Sequence, residues 1–267
     1  MSEVAAKPLR ILVSNDDGIH APGLKVLTAI ARELSSDVWV VAPETEQSGA
    51  SHSLTLTEPL RIRKVAPKRY AVSGTPTDCV MMALDKIVTG RKPDLVLSGV
   101  NRGGNIGEDV TYSGTIAAAM EGTMLGVPSI AFSQVIGFDR TKPIQWACAA
   151  AHGAAVTRKL IETGWPRDVL INVNFPPVPP DEVTGVRVSH QGRRGVGNLF
   201  VDERVDARGN EYYWLGYRRS PEPPEPDSDI ESVYAGAISV TALHLDLTHY
   251  DTQASLRRAF TGFKPSE

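Results

Sequence analysis

The chain has 267 residues, is 42% hydrophobic and 22% charged, and carries a formal net charge of −3. That length and apolar content suit one large α/β domain or a core with a smaller appendage, and without a positive excess a polymeric nucleic acid is not an expected partner, because its phosphates must be neutralised by Lys and Arg. No stretch is apolar enough to span a bilayer, and the first seven residues, Glu3 among them, hold no apolar segment of signal-peptide length, so a soluble cytoplasmic protein without membrane contact is expected.

Residues 9–14, Leu-Arg-Ile-Leu-Val-Ser, form a short apolar run closed by Asn15-Asp16-Asp17-Gly18, which reads as a buried strand of a parallel sheet followed by a turn. Pro22 and Gly23 open a helix in which Leu24, Leu27, Ile30, Ala31 and Leu34 recur at helical spacing. A second strand covers 38–42 and stops at Pro43. Short alternating runs at 53–56, 60–65 and 70–72 predict an antiparallel excursion, before a helix capped by Thr77 that reaches about Val88. Strands follow at 94–98 and 129–133; between them lie a Gly- and Asn-rich loop over 99–112 and a helix of small residues from Ser113 to about Leu125. This alternation predicts a Rossmann-like, mostly parallel sheet with helices on both faces, a three-layer αβα core.

An Ala-rich helix over about 143–162 leads to a last core strand at 169–175, ended by Pro176-Pro177. Segments 186–189, 199–206 and 211–215 read as extended arms with a turn at Gly209-Asn210, and 221–226 as a Pro/Glu-rich connector. A strand-like stretch at 238–247 and a short helix near 253–260 complete the chain. The reading is a single domain over 1–267, with a core at about 8–180 and extended C-terminal arms over about 181–267 that suit pairing with another subunit. Cys79 and Cys148 lie in apolar, helical surroundings without metal-ligand spacing, as buried free thiols of a reducing compartment would.

Open α/β sheets bind ligands beyond the carboxyl ends of their strands, which puts Asp16 and Asp17 at an expected mouth. Adjacent carboxylates repel each other and any phosphate unless a cation lies between them, and hard divalent ions such as Mn²⁺ or Mg²⁺ suit carboxylate oxygens best. Plain turn chemistry is the competing explanation. Three later loops would share that edge. Residues 46–53 offer hydroxyls and backbone N–H groups, Gly49 included, for an anion or a metal, or are simply a polar loop. Residues 98–107 bring the Asn101 amide oxygen, Asn105 and several glycines, or are a flexible connection. Ser113-Gly114-Thr115 opens a helix whose free N–H donors suit a phosphate, although Ser113 serves equally as an N-cap.

Together these features describe a metal-dependent phosphomonoesterase in which an ion held by Asp16 and Asp17 activates water, with no side-chain nucleophile required. His20 and His52 are candidate general acids or loop hydrogen-bonding groups, and Lys25 and Arg102 either steer an anion or are ordinary solvated charges. Two rivals stand beside this reading: an aspartyl-phosphate enzyme using Asp16 or Asp17 as nucleophile, and a nucleotide-sensing module without turnover. A G-x-G-x-x-G after the first strand, the mark of an NAD-binding oxidoreductase, is missing.

Five ordered motifs carry a family resemblance: Ser-Asn-Asp-Asp-Gly-Ile-His-Ala-Pro-Gly-Leu at 14–24, Gln-Ser-Gly-Ala-Ser-His-Ser-Leu-Thr at 47–55, Gly-Thr-Pro-Thr-Asp-Cys-Val at 74–80, Ser-Gly-Val-Asn-Arg-Gly-Gly-Asn-Ile-Gly-Glu-Asp-Val-Thr-Tyr-Ser-Gly-Thr at 98–115, and Ser-Val-Thr-Ala-Leu-His-Leu-Asp-Leu-Thr at 239–248. They closely resemble the survival protein SurE family of 5'-nucleotidases. The resemblance implies divalent-metal-dependent hydrolysis of nucleoside 5'-monophosphates, with 3'-monophosphates and short polyphosphate as further candidate substrates. It also implies one ion per subunit, held by Asp16, Asp17, Ser48 and Asn101, and a dimer or tetramer built by exchange of C-terminal elements. Ser48 is marked out by the resemblance alone. The chain departs from the family pattern at Ala242, where a proline is common, and at Tyr250, where some members have a histidine and this chain has His249 beside it.

Overall fold

A computed structural model of the chain describes residues 8–137, 143–193, 199–217 and 223–264; the expected N-terminal tail and the first two residues of the 221–226 connector lie outside these. In chain order the elements are β1 (Arg10–Ser14), α1 (Pro22–Leu34), β2 (Asp37–Pro43), β3 (Ile62–Ala66), β4 (Arg69–Val72), α2 (Pro76–Met82), β5 (Leu95–Arg102), α3 (Gly114–Met124), β6 (Ser129–Gln134), α4 (Trp146–Thr163) and β7 (Val169–Phe175). They continue with β8 (Val186–Ser189), β9 (Leu199–Val205), β10 (Glu211–Tyr217), α5 (Asp229–Tyr234), β11 (Ile238–His244) and α6 (Tyr250–Ala259).

Nine strands form one sheet in the order β3-β4-β2-β1-β5-β6-β7-β11-β8. Within this sheet only the β3/β4 and β7/β11 pairs are antiparallel. The expected mostly parallel, Rossmann-like architecture is therefore present. Because β1 pairs with β2 on one side and β5 on the other, the chain moves outward in both directions from β1. The crevice beyond its carboxyl end is the topological switch point, and Asp16 and Asp17 sit there.

The strand pattern places the helices. Ile11 and Val13 of β1 face one core with Leu24, Leu27 and Ile30 of α1 and Cys148 and Ala149 of α4. Leu12 faces the opposite core with Cys79 and Val80 of α2 and Ala118 of α3. Strands buried on both faces need the continuous apolar runs that the sequence shows, and each large aliphatic side chain buried there contributes about 2 kcal/mol. Both cysteines are free and buried, as expected.

Several boundaries differ from expectation. Thr75, not Thr77, caps α2: its hydroxyl accepts from Asp78 N at 3.1 Å while its own N–H donates to the Asp78 carboxylate at 2.8 Å. Pro76 at the first helical position forces the residue before it into extended backbone, so the cap falls at 75. The helix then loosens into a π-type turn over Ala83–Ile87. Residues 53–56 make no strand, because Thr55 bonds Asp78 through both its N–H (3.1 Å) and its hydroxyl (2.6 Å) instead of a neighbouring chain. A bulge between Ser98 and Asn101 lets β5 run on to Arg102, so Asn101 stands on a strand end rather than in a loop. α4 starts at Trp146, three residues later than expected.

The largest correction concerns the C-terminal part. β7 is not the last strand of the core, and Val186–Ser189 is not an arm. β11 pairs antiparallel with β7, and β8 pairs parallel with β11, which satisfies the backbone that β7 would otherwise leave open as a sheet edge. β11 ends at His244, and Leu245 turns to donate to Asp168 O at 3.1 Å. α5, absent from the expected elements, is a six-residue helix capped by Ser228. β9 and β10 form a separate two-stranded ribbon, with Val201, Val205, Trp214 and Leu215 exposed on it. Among the described residues no helix is long and apolar enough to cross a membrane.

Candidate metal centre

Asp16 stands in the turn two residues beyond β1 and is only 4% exposed. Three contacts hold it. The Thr115 hydroxyl donates to its Oδ1 at 2.5 Å, Gln47 N donates to its backbone oxygen at 2.8 Å, and the first turn of α3 closes over it at Gly114. A Cβ at residue 114 would lie 2.8 Å from Asp16 Cβ and 3.1 Å from Pro76 Cγ, so only glycine lets the helix start approach this far. Burial pushes the Asp16 carboxyl up, Asp17 adds to the rise, and the Thr115 hydroxyl and nearby backbone N–H groups offset only part of it, leaving it at about 6.

Asp17 is half-buried and accepts from Arg102 N at 3.2 Å, which ties the turn after β1 to the end of β5. Its carboxyl is also raised, by burial first and then by Glu46, against the opposing pull of Arg102. Asn101, one residue before Arg102, donates its amide nitrogen to Gly103 O at 3.0 Å, which leaves the carbonyl oxygen as the acceptor of that side chain. Ser48 is exposed on the loop after β2, its hydroxyl bonded to Glu46 Oε1 at 2.9 Å. The structure thus brings Asp16, Asp17 and Asn101 to one edge, with the Ser48 loop fastened to it through Gln47.

The expected phosphate-binding residues take different positions. Ser113 caps α3, its hydroxyl accepting from Ile116 N at 3.1 Å. Thr115 spends its hydroxyl on Asp16, and Gly49 is exposed beside Ser48. Asn105 is drawn away into a buried network: it donates through Nδ2 to Ser133 Oγ at 2.8 Å and through N to Asn174 Oδ1 at 2.9 Å, while its carbonyl accepts from Asn172 Nδ2 (2.8 Å) and Asn174 Nδ2 (3.1 Å). His52 pairs with Glu121, His20 and Lys25 are exposed, and His249 caps α6 by accepting from Thr252 N at 3.2 Å.

The donor set is all oxygen: two carboxylates, an amide carbonyl and a hydroxyl, the chemistry of a hard divalent cation. Among the described residues neither aspartate forms an ion pair. Ser14 and Asn15 immediately precede Asp16 in the chain, and among the described residues the buried Asn15 Oδ1 and the hydroxyls of Ser14 and Ser98, register partners on β1 and β5, have no hydrogen-bond partner. Buried oxygens without donors beside two under-compensated carboxylates fit a cation. Among the described residues no group of three or more His, Cys, Asp or Glu forms an alternative metal cluster. Sequence reasoning missed the service of Thr115 to Asp16 and the field of Glu46 on Asp17; an acidic residue in the loop three positions past β2 was the available signal for the latter.

Comparison with known proteins bears on this arrangement. The family described as survival protein SurE matches residues 11–198. A protein named 5'-nucleotidase SurE from Parvibaculum lavamentivorans is 56% identical over 259 residues, covering 97% of this chain and 94% of its own. One of the same name from Methylorubrum populi is 58% identical over 240 residues, covering 90% and 94%. The crystal structure of the SurE protein from Aquifex aeolicus superposes with a TM-score of 0.82 at 41% identity, over 94% of this chain and 99% of that one. The matched span takes in Asp16, Asp17, Ser48, Asn101 and the start of α3, and the protein belongs to the SurE family.

Proposed function

We propose that the protein is a 5'-nucleotidase that hydrolyses nucleoside 5'-monophosphates with the help of a divalent cation, Mn²⁺ or Mg²⁺. The observation that carries the reading is the buried Asp16 carboxylate, which among the described residues forms no ion pair and packs against the start of α3. The names of relatives more than half identical along nearly the whole chain support the activity. Asp16, Asp17, Asn101 and Ser48 are the residues that would hold the ion, one per subunit. When bound there, it supplies charge neutralisation and Lewis acidity toward phosphate oxygens and water.

The chain's own residues do the rest. Thr115 fixes the rotamer of Asp16, and Arg102 N fixes Asp17. The positive end of α3, which packs against Asp16 at Gly114, suits a phosphoryl group, whose transfer depends on positioning and charge stabilisation more than on covalent help. Gly49 adds backbone N–H capacity on the opposite loop. Asn105 supports the loop between Asn101 and Ser113 rather than offering its amide nitrogen to substrate. The candidate substrates 3'-monophosphates and short polyphosphate share the terminal phosphate that this edge accommodates.

The reading includes a cytoplasmic location and a homo-oligomer, dimer or tetramer, supported by the exposed apolar side chains of the β9–β10 ribbon. Phosphate release from a panel of nucleotides, with and without chelator, on wild type and Asp17→Asn, tests the activity. Release that depends on metal and disappears in Asp17→Asn is expected; release that survives both changes would overturn the assignment.

A further inference from the structure

Glu121 is the one acidic residue of α3, a helix otherwise made of small and apolar residues, Met124 and the threonines 115 and 123, and it is only 7% exposed. A carboxylate buried on such a helix is costly unless it is paired. Its partner is His52, with Nε2 3.0 Å from Glu121 Oε2 and the imidazole about two-thirds covered. His52 comes from the loop after β2, four residues beyond Ser48.

That loop is fastened at its two ends, and between them Ser48 and Gly49 form a turn closed by Ala50 N, which donates to Gln47 O at 3.2 Å. Gln47 N holds the near end to Asp16 O at 2.8 Å. At the far end Ser51 Oγ donates to Thr111 O at 2.8 Å, Thr75 Oγ1 donates to Ser53 O at 2.8 Å, and His52 reaches Glu121. Ser48 and Gly49, in the middle, are exposed; the Ser48 hydroxyl donates to the nearby Glu46, and a Cβ at residue 49 would meet nothing within 4 Å. The placement of the Ser48 hydroxyl therefore depends on where the ends of the span are held. α3 is well suited to hold one, because its first turn already packs on Asp16: a single rigid helix then references both Asp16 and the Ser48 loop.

We propose that the His52–Glu121 pair is a positioning latch that sets Ser48 against the metal edge. The proposal rests on the metal-centre reading above. A charge-assisted hydrogen bond to a helix side chain is directional, so it fixes the register of the loop where an apolar contact would allow sliding. His52 acts here through Ser48 and not as a proton donor to substrate.

Mn²⁺ binding to the metal-free full-length protein, followed by titration calorimetry, reads this without turnover. His52→Ala and Glu121→Ala are each expected to weaken binding about tenfold, and the double variant no further than the weaker single one. Glu121→Gln, which can still accept from His52, is expected to stay near wild type. Ser48→Ala is expected to weaken binding to the same extent, and adding His52→Ala to it should cost nothing more. Amide exchange over residues 47–53 should quicken in both alanine variants, a readout available even where unfolding stability falls. Wild-type affinity in His52→Ala, a loss that adds fully to that of Ser48→Ala, or unchanged exchange over 47–53 would overturn the latch. Asp17→Asn separates the two readings: if it retains wild-type Mn²⁺ affinity, the metal centre and the latch both fall, whereas loss there with unchanged affinity in His52→Ala removes the latch alone.

Discussion

The Thr115 hydroxyl donates to Asp16 Oδ1 at 2.5 Å, joining residues 99 apart in sequence and tying the first turn of α3 to the end of β1. Thr115 is fully buried, so this bond is shielded from water and fixes the carboxylate in one orientation. Thr115→Val keeps the shape and removes the donor. It is expected to lower kcat/KM by about 10- to 100-fold and to weaken Mn²⁺ binding, while Thr115→Ser restores most of both. Steady-state kinetics and metal titration on the two variants check this; equal activity in Thr115→Val and wild type would show that the hydroxyl does not orient Asp16.

Asp16 should oppose folding and serve function at once. Its carboxyl stands at about 6 in the folded chain against 3.8 for the free side chain, with burial the main cause. The sign follows from linkage: a raised folded-state pKa favours the fold most below about pH 4 and loses that advantage as pH rises through 6. In chelator at pH 8, Asp16→Asn is therefore expected to be more stable than wild type by up to about 3 kcal/mol, with the gap closing toward pH 4. Urea unfolding at both pH values measures it, and the same variant should be inactive.

Gly114→Ala places a methyl group 2.8 Å from Asp16 Cβ and 3.1 Å from Pro76 Cγ. Neither neighbour is the free end of a flexible chain, so the start of α3 has to withdraw. A loss of about 1–3 kcal/mol in stability is expected, together with at least a tenfold loss of activity, because the helix N–H groups move with the turn. Thermal melting and kinetics read the two effects separately.

Acid sensitivity should come from the opposite end of the sheet. Burial alone would raise Asp37, but hydrogen bonds from Lys68 Nζ (2.8 Å) and Arg10 Nε (2.7 Å) outweigh it and hold the carboxyl at about 2. A depressed folded-state pKa stabilises fully above about pH 4 and fades as pH falls toward 2. Asp37→Asn is expected to cost about 1–2 kcal/mol at pH 7 and almost nothing once the pH is below about 2, with activity at pH 7 unchanged. Unfolding curves across that range decide it.

The core strands and the switch-point turn are legible in the chain because their signals are local: apolar runs for β1, β2, β5 and β6, and Asp16-Asp17 directly after the first of them. Asn101 is legible as a donor, although the bulge that puts it on β5 is not, since a bulge depends on the neighbouring strand. The pairing of β8 and β11 with β7 is a long-range choice that alternation at 186–189 and 238–244 leaves open. Ser113 to Thr115 are recognisable as a helix start, but what Thr115 touches is set by a turn 99 residues earlier. Asn105 reads as a free amide in the sequence and is committed only because Asn172 and Asn174 point into its loop.

Those two asparagines also order events in time. The Asn105 carbonyl accepts from Asn172 and Asn174, which lie 67 and 69 residues further along the chain. A nascent polypeptide that has just completed β6 already possesses β1, its aspartates and α3, yet the strand that anchors the loop between Asn101 and Ser113 has not been synthesised. The proposed metal edge is therefore finished from the far half of the molecule, and a chain truncated before β7 would carry every proposed ligand without the brace that holds them in register.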